Sequence, residues 1–285
     1  MTILDGKKLS EKIKNELKNK IQKEKIFAHI GVILIGDNPA SKIYVKYKEK
    51  FAEEIGVKFT KFIYDEKISE KEILNKIEKL NKNPDFTGIF VQLPVPKHIS
   101  VQKIIEKIDP KKDVDGFSQQ NIGEMFLNQG GIFPATPKGI LRLLDEYKIE
   151  IEGKNAVVIG RSNIVGKPLS TMLLNRGATI TTCHSKTKNL NFYLKNADLI
   201  IVAVGRENFL DGENIKKGAV IIDVGINPNS NLEIKSQIVG DCNFEKCCEI
   251  ASFITPVPGG VGPMTIASLM ENSVKLARNN KICEF

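Results

Sequence analysis

Short apolar runs alternate along this chain with segments whose apolar residues recur every three to four positions, and that alternation predicts a layered α/β protein. Leu9, Ile13, Leu17 and Ile21 recur between lysines, the pattern of a surface helix with one apolar stripe. His29 to Ile35 is an apolar run ending at Gly36 and reads as a buried strand. Asp37 to Ser41 then turns into a helix running to about Ile55, with Gly56 as its C-cap. Val57 to Tyr64 is expected as the next strand, Ser69 to Asn81 as a capped helix with Ile73, Ile77 and Leu80 inward, and Thr87 to Pro94 as a further strand. Val101 to Ile108 is expected as a short helix and Asn121 to Phe133, rich in glycine, as irregular chain. Thr136-Pro137 opens a helix through Leu144 that bridges to a second domain.

The second half repeats the rhythm. Ala156–Ile159, Ala178–Cys183, Leu199–Val204, Ala219–Val224 and Ser252–Ile254 are the expected strands, with a helix over Leu190–Asn196. A last helix, Met264 to about Asn279, has no strand after it and is expected to pack back on the first domain. No tandem repeat and no low-complexity tract interrupts the pattern.

Between Ala156 and Leu174 the strand ends in Gly160-Arg-Ser-Asn-Ile-Val-Gly-Lys-Pro168, and Pro168 falls in the first turn of an apolar helix. A strand, a glycine turn and a helix start present free N–H groups and a positive helix end, which suits a dinucleotide phosphate. The usual fingerprint is Gly-x-Gly-x-x-Gly. Here Ser162 replaces the second glycine and Gly166 falls one residue late, so a plain βα connection is the competing reading. After the next strand comes His184-Ser-Lys-Thr187, where an NAD site would be expected to carry Asp or Glu for the ribose hydroxyl. Ser185 and Lys186, with Arg161, suit a 2′-phosphate instead, and NADP preference is expected; solvated surface charge is the alternative.

Composition narrows the class without deciding the chemistry. Over 285 residues, 41% hydrophobic and 27% charged describe an ordinary globular chain long enough for two domains. There is neither an apolar run of about 20 residues to span a membrane nor a signal-peptide core, which points to the cytoplasm. Five cysteines without a Cys-x-x-Cys pair, beside three histidines, argue against a structural metal site; Cys247 and Cys248 read as adjacent buried thiols. The net charge of +8 is spread between glutamates along helices rather than gathered in a patch, so a nucleic-acid partner has no motif to support it.

Several polar residues fall at or near the expected carboxyl ends of strands, where open α/β sheets bind ligands. Tyr44 and Lys48 stand four apart and share a helix face; Gln92 interrupts an apolar strand end; Asp113 and Asp115 flank Val114. Each also has a plain reading: a surface pair, a satisfied amide, a carboxylate that caps the chain or pairs with Lys111 or Lys112, and a turn residue before Gly116.

Taken together, Asp37-Asn-Pro-Ala-Ser41 with Tyr44-Val-Lys-Tyr-Lys48, Val91-Gln-Leu-Pro94, Lys112-Asp-Val-Asp-Gly116, Thr136-Pro-Lys-Gly139, Gly160 to Pro168, Cys183-His-Ser-Lys-Thr187 and Pro256-Val-Pro-Gly-Gly-Val-Gly-Pro-Met-Thr265 resemble the bifunctional methylenetetrahydrofolate dehydrogenase/methenyltetrahydrofolate cyclohydrolase family. The resemblance spans essentially the whole chain. It implies two α/β domains with a cleft between them: a folate-binding catalytic domain over 1–135, on which the 265–285 helix packs back, and a Rossmann-like, doubly wound NADP-binding domain over 136–264. It implies NADP-linked oxidation of 5,10-methylenetetrahydrofolate, hydrolysis to 10-formyltetrahydrofolate, and a homodimer serving one-carbon metabolism. Residue by residue, it implies Lys48 as the catalytic lysine with Tyr44 and Gln92 as partners, and Asp115 and the Pro258-Gly259-Gly260 turn on the substrate. Gly160, Arg161, Ser162, Ser185 and Ile226 match NADP-contacting positions, and no metal is implied. Tyr47 stands where smaller residues are common in the family, and its side chain is expected off the shared face. A dehydrogenase without the hydrolase and a non-catalytic dinucleotide sensor are the alternatives; the sensor leaves Tyr44, Lys48, Gln92 and Asp115 without a role. The spread basic charge suits NADP phosphates and a polyglutamate tail on the folate, and a lysine-rich genome accounts for it equally well.

Overall fold

The computed structural model of the chain describes residues 1–228 and 238–282, with side chains to residue 279. From the amino end the elements are β1 (Thr2–Ile3), α1 (Gly6–Glu24), β2 (His29–Ile35), α2 (Pro39–Ile55), β3 (Lys58–Tyr64), α3 (Glu70–Lys82), β4 (Gly88–Val91), α4 (Val101–Lys107), α5 (Gln119–Phe126) and α6 (Ala135–Glu146). They continue as β5 (Asn155–Ile159), α7 (Gly166–Leu174), β6 (Thr179–Cys183), α8 (Leu190–Leu194), β7 (Leu199–Val202), β8 (Val220–Asp223) and β9 (Asn227–Pro228). Last come β10 (Ile238–Val239), α9 (Phe244–Cys248), β11 (Phe253–Ile254) and α10 (Val261–Ile282). The chain forms two compact units: one of Glu11–Glu124, Gly130–Ala135 and the residues from Ile266 on, the other of Met1–Ser10, Met125–Gln129 and Thr136–Thr265.

The first unit is built on a parallel sheet in the order β3-β2-β4. Every residue of the central strand β2 is buried, as a parallel strand covered on both faces requires. Ile73, Ile77 and Leu80 of α3 pack on Ile33, Ile35 and Ile89 of the sheet. Ser69 and Glu72 close a full capping box at the start of α3. At the other end Lys112 Nζ donates to the carbonyls of Leu80 (3.1 Å) and Asn83 (2.7 Å), answering oxygens that a helix end leaves unpaired. From α10, Arg278 Nε meets Glu24 at 3.1 Å and Asn272 Nδ2 donates to the Val114 and Phe133 carbonyls, both at 2.9 Å.

The second unit carries a six-stranded sheet, order β1-β11-β8-β7-β5-β6, in which every pairing is parallel. Its core joins Val157, Ile159, Ile200, Val202, Ile221 and Ile254. This is the parallel α/β architecture that the alternating apolar rhythms implied.

The structure departs from the sequence pattern in several places: α9 and the antiparallel β9–β10 pair were not expected, and Met1–Ser10 and Met125–Gln129 fall in the second unit rather than in the expected 1–135 domain. β1, two residues long, is too short to show a period, yet it pairs with β11. Part of the stretch expected to be irregular is α5: Ile122, Met125 and Phe126 have helical spacing that Gly123 disguises, and Ser118 Oγ accepts from Asn121 N at its start (3.3 Å). Cys247 is fully buried, but Cys248 is only half-buried. Among the described residues no helix is long and apolar enough to cross a membrane, and no cluster of three or more His, Cys, Asp or Glu is placed to hold a metal ion.

His29 opens β2 with 3% of its surface exposed, its ring stacked on Phe86 and its nitrogens against the Asp85 carbonyl (3.1 Å) and Thr60 Oγ1 (2.9 Å). Burial, helped by the nearby Lys58 charge, depresses its pKa below the ordinary histidine value, against the Asp85 carbonyl. The unfolded chain therefore takes up this proton first, and the contribution of neutral His29 is present above the unfolded pKa and lost as pH falls through and below it. Urea midpoints measured from about pH 7.5 down to about pH 5 should drop more steeply for the wild type than for His29→Gln; parallel profiles would remove His29 as the cause.

Candidate active site

The first candidate site is assembled where α2 and β4 face one another. Asn38 caps α2, its Oδ1 accepting from Ser41 N (3.0 Å), and Pro39 stands at the helix start. That start sets the phase of the helix and places Ser41, Tyr44 and Lys48 on one side. Lys48 is 5% exposed. Its ammonium lies 4.1 Å from the centroid of the Phe90 ring and 5.6 Å from that of Tyr44, and Nζ donates to Gln92 Oε1 at 3.0 Å. Gln92 directly follows β4; its Nε2 donates to the Leu93 carbonyl at 2.7 Å, which turns the amide oxygen toward Lys48. Tyr47, by contrast, is 58% exposed and off this face.

The loop after α4 supplies the countercharge. Ile89 N donates to the Lys112 carbonyl (2.7 Å), so residues 112–114 run beside β4. Asp113 is buried and fastens the loop: Oδ1 accepts from Gly116 N (2.9 Å), and Oδ2 from Ser118 N (2.7 Å) and Asn121 Nδ2 (3.0 Å). It does not pair with a neighbouring lysine, one of the two readings its sequence position allowed. Asp115 is half-buried beside Val91, Leu93, Ile108 and Phe117.

Burial pushes Asp115 up to about 6, with the Lys48 charge opposing and the Asp113 charge adding to the rise. Burial likewise depresses the Lys48 pKa from its ordinary value, with Asp115 opposing. An ammonium held this way gives up its proton more readily than a surface lysine, which suits a part in proton transfer. Sequence spacing missed Ser41, whose buried Oγ has no hydrogen-bond partner among the described residues. The signal was its place one and two turns before Tyr44 and Lys48.

The second candidate site lies past the carboxyl ends of the strands in the six-stranded sheet. Gly160 has φ 130°, and a Cβ there would stand 2.3 Å from the Ala203 carbonyl oxygen; one on Gly166 would stand 2.2 Å from the Gly160 oxygen. Both glycines are thus demanded by the turn, a closer packing than a generic βα connection needs. Ser162 Oγ accepts from Val165 N (3.1 Å) and Gly166 N (3.3 Å), so the residue replacing the second glycine caps α7. On the neighbouring strand β6, the turn closed by Thr187 on His184 leaves Ser185 and Lys186 exposed, as is Arg161. Exposed Arg161, Ser185 and Lys186, with no carboxylate in either turn, fit a dinucleotide bearing an additional phosphate. Ile226, after β8, exposes 49% of its surface at the same sheet edge, an apolar surface suited to a ring face. After β11 the Pro258-Gly259-Gly260 turn is held by Gly260 N on the Pro256 carbonyl (2.8 Å) and by Lys7 N on the Gly259 carbonyl (2.9 Å).

The structure thus brings Tyr44, Lys48, Gln92 and Asp115 into one unit, and Gly160, Arg161, Ser162, Ser185, Ile226 and Pro258 to Gly260 into the other.

Comparison with known proteins gives these two arrangements a common setting. The family described as tetrahydrofolate dehydrogenase/cyclohydrolase matches twice, by its catalytic domain over residues 4–115 and by its NAD(P)-binding domain over residues 134–281. A bifunctional protein FolD of Campylobacter hominis is 50% identical over 98% of both chains. The crystal structure of the bifunctional FolD enzyme of Campylobacter jejuni superposes with a TM-score of 0.94 at 51% identity, covering 98% of this chain and 99% of that one. The Trypanosoma brucei dehydrogenase-cyclohydrolase, solved with NADP and an inhibitor, superposes with a TM-score of 0.93 at 30% identity, covering 98% of each chain.

The electrostatic pairing of Lys48 with Asp115 is open to direct measurement. Since Asp115 raises the Lys48 pKa against burial, Asp115→Asn should lower it further, read by NMR titration of the Lys48 side chain. A Lys48 pKa unchanged or raised in that variant would show that the two charges do not communicate.

Proposed function

We propose, from the premise that this chain belongs to the tetrahydrofolate dehydrogenase/cyclohydrolase family, that Lys48, Tyr44 and Gln92 carry its hydrolytic chemistry and Asp115 its hold on folate. The chain is a bifunctional enzyme: it oxidises 5,10-methylenetetrahydrofolate to the methenyl form with NADP and hydrolyses that product to 10-formyltetrahydrofolate. The observation that carries the residue assignment is the buried Lys48 ammonium on Phe90 and Gln92 with Asp115 as its countercharge.

When bound, NADP supplies the hydride acceptor, so for the first step the protein's task is placement. The folate nitrogen lone pair assists hydride departure, and that step demands no dedicated base. In hydrolysis, water adds to the electron-poor methenyl carbon and loses a proton; the bond from that carbon to N5 then breaks, N5 keeping the electron pair and taking a proton, and the formyl group stays on N10. Lys48, its pKa depressed by burial, takes or relays the proton lost by water; Gln92 orients the lysine and the Tyr44 hydroxyl orients the water or the folate. Asp115, once ionised, accepts hydrogen bonds from the pterin ring, and the turn at Pro258, Gly259 and Gly260 closes on the substrate. The turn at Gly160 and Ser162 would take the pyrophosphate end of the dinucleotide at the start of α7, Ser185 and Arg161 would take its 2′-phosphate, and Ile226 would meet its nicotinamide. As read from the family, the working molecule is a cytoplasmic homodimer feeding one-carbon metabolism.

One spectroscopic assay follows reduced cofactor and the methenyl species separately. Lys48→Met should lose hydrolysis by about a hundredfold or more while retaining hydride transfer; equal loss of both would end the division of labour. Arg161→Ala should raise the KM for NADP about tenfold and leave that for NAD unchanged, whereas equal effects on the two would assign Arg161 to the shared pyrophosphate.

A further inference from the structure

Two carboxylates in the six-stranded unit take no part in the chemistry above, although both are buried: Asp241 is 0% and Asp223 3% exposed. Asp241 Oδ2 accepts from the N–H groups of Val204 (2.7 Å) and Gly205 (3.0 Å), while Oδ1 accepts from Arg206 N (2.8 Å) and Asn227 Nδ2 (2.8 Å). Three successive N–H groups converging on one point form the kind of concavity that binds anions. Here the chain's own carboxylate fills it. Asp223 Oδ1 accepts from Gly225 N and Asp241 N, both at 2.9 Å, and Oδ2 from Cys242 N at 2.8 Å. Thr255 Oγ1 in turn accepts from Asp223 N at 2.7 Å. Contact is so close that a Cβ on Gly240 would stand 1.9 Å from Asp223 Oδ2, and one on Gly225 2.3 Å from Asp241 Oδ1.

The pair therefore ties together the loop after β7 (204–206), the loop after β8 (225–227) and Thr255, from which the chain leads to Pro258. Ile226 stands between two anchored neighbours, Gly225 on Asp223 and Asn227 on Asp241. We propose that Asp241 is a positioning residue for NADP, setting the loops after β7 and β8 without touching the cofactor. The inference rests on the placement of NADP at these strand ends given above. The carboxylate form is needed because each oxygen already takes two N–H donors; an amide in its place turns an NH2 group toward two of them and leaves both unpaired.

Asp241→Asn in the full-length enzyme tests this. The KM for NADP should rise about tenfold, with kcat at saturating NADP held within about threefold. Hydrolysis of 5,10-methenyltetrahydrofolate without NADP consumes no nicotinamide and should stay within about twofold of wild type, reporting that the fold and the Lys48 site are intact. Asn227→Ala removes one of the four donors to Asp241, together with the Asn227 bond to the Gly240 carbonyl (3.1 Å), and should raise the same KM about threefold; it carries the test if Asp241→Asn does not fold. Hydrolysis falling in step with NADP use, or an unchanged NADP KM, would overturn the proposal. Arg161→Ala separates the two levels: if it raises the NADP KM while Asp241→Asn does not, only the positioning role fails. If neither variant raises it, the placement of NADP fails and takes the positioning role with it.

Discussion

Lys48 carries an ammonium out of water, and the first unit is arranged around that constraint. A charge buried without compensation costs several kcal/mol, so the fold has to answer it. It does so with one amide oxygen, the face of Phe90, the ring of Tyr44 and the field of Asp115 rather than with a direct carboxylate bridge. A tight ion pair would raise the lysine pKa and leave it a fixed cation. The looser set keeps the pKa depressed, and a depressed lysine is useful as a proton acceptor. The supports lie one layer further out: Leu93 turns the Gln92 amide, and Asp113 fixes the loop that presents Asp115.

The second unit meets a different electrostatic demand, because the ligand brings the charge. Parallel strands release their loops at one edge, and the start of α7 faces that edge with its N–H groups. In the glycine turn, Ser162 spends its hydroxyl on Val165 and Gly166, so its specificity for a phosphate group is left to exposed Arg161, Ser185 and Lys186. Under the proposed assignment, dinucleotide binding depends on backbone shape, while discrimination between the two dinucleotides depends on exposed side chains.

What was legible in the sequence follows from range. Strand β2, helix α3 and the Tyr44–Lys48 spacing are local patterns, and one period suffices to read them. The glycine turn was legible because Gly160 and Gly166 serve contacts within a few residues or on the adjoining strand. Asp113 was ambiguous: its partners Gly116, Ser118 and Asn121 are close in sequence, but a neighbouring lysine is equally close, and only burial decides. Asp223 and Asp241 gave no signal. The partners of Asp241 lie as far away as Val204, and a lone carboxylate in a sequence reads as surface charge. β1 was hidden for a related reason, since its pairing with β11 is settled at the other end of the chain.

Asp113, Asp223 and Asp241 solve one problem three times. Beyond the carboxyl end of a parallel strand the backbone leaves the ladder, and its buried N–H groups need acceptors from somewhere other than a neighbouring strand. A serine or asparagine oxygen has room for about two donors, whereas a carboxylate offers about four sites and gains from charge assistance. Asp241 uses all four, gathering Val204, Gly205, Arg206 and Asn227 onto one side chain. At Asp223 the N–H donors offset part of the burial that raises its pKa, and the Asp241 charge adds to the rise.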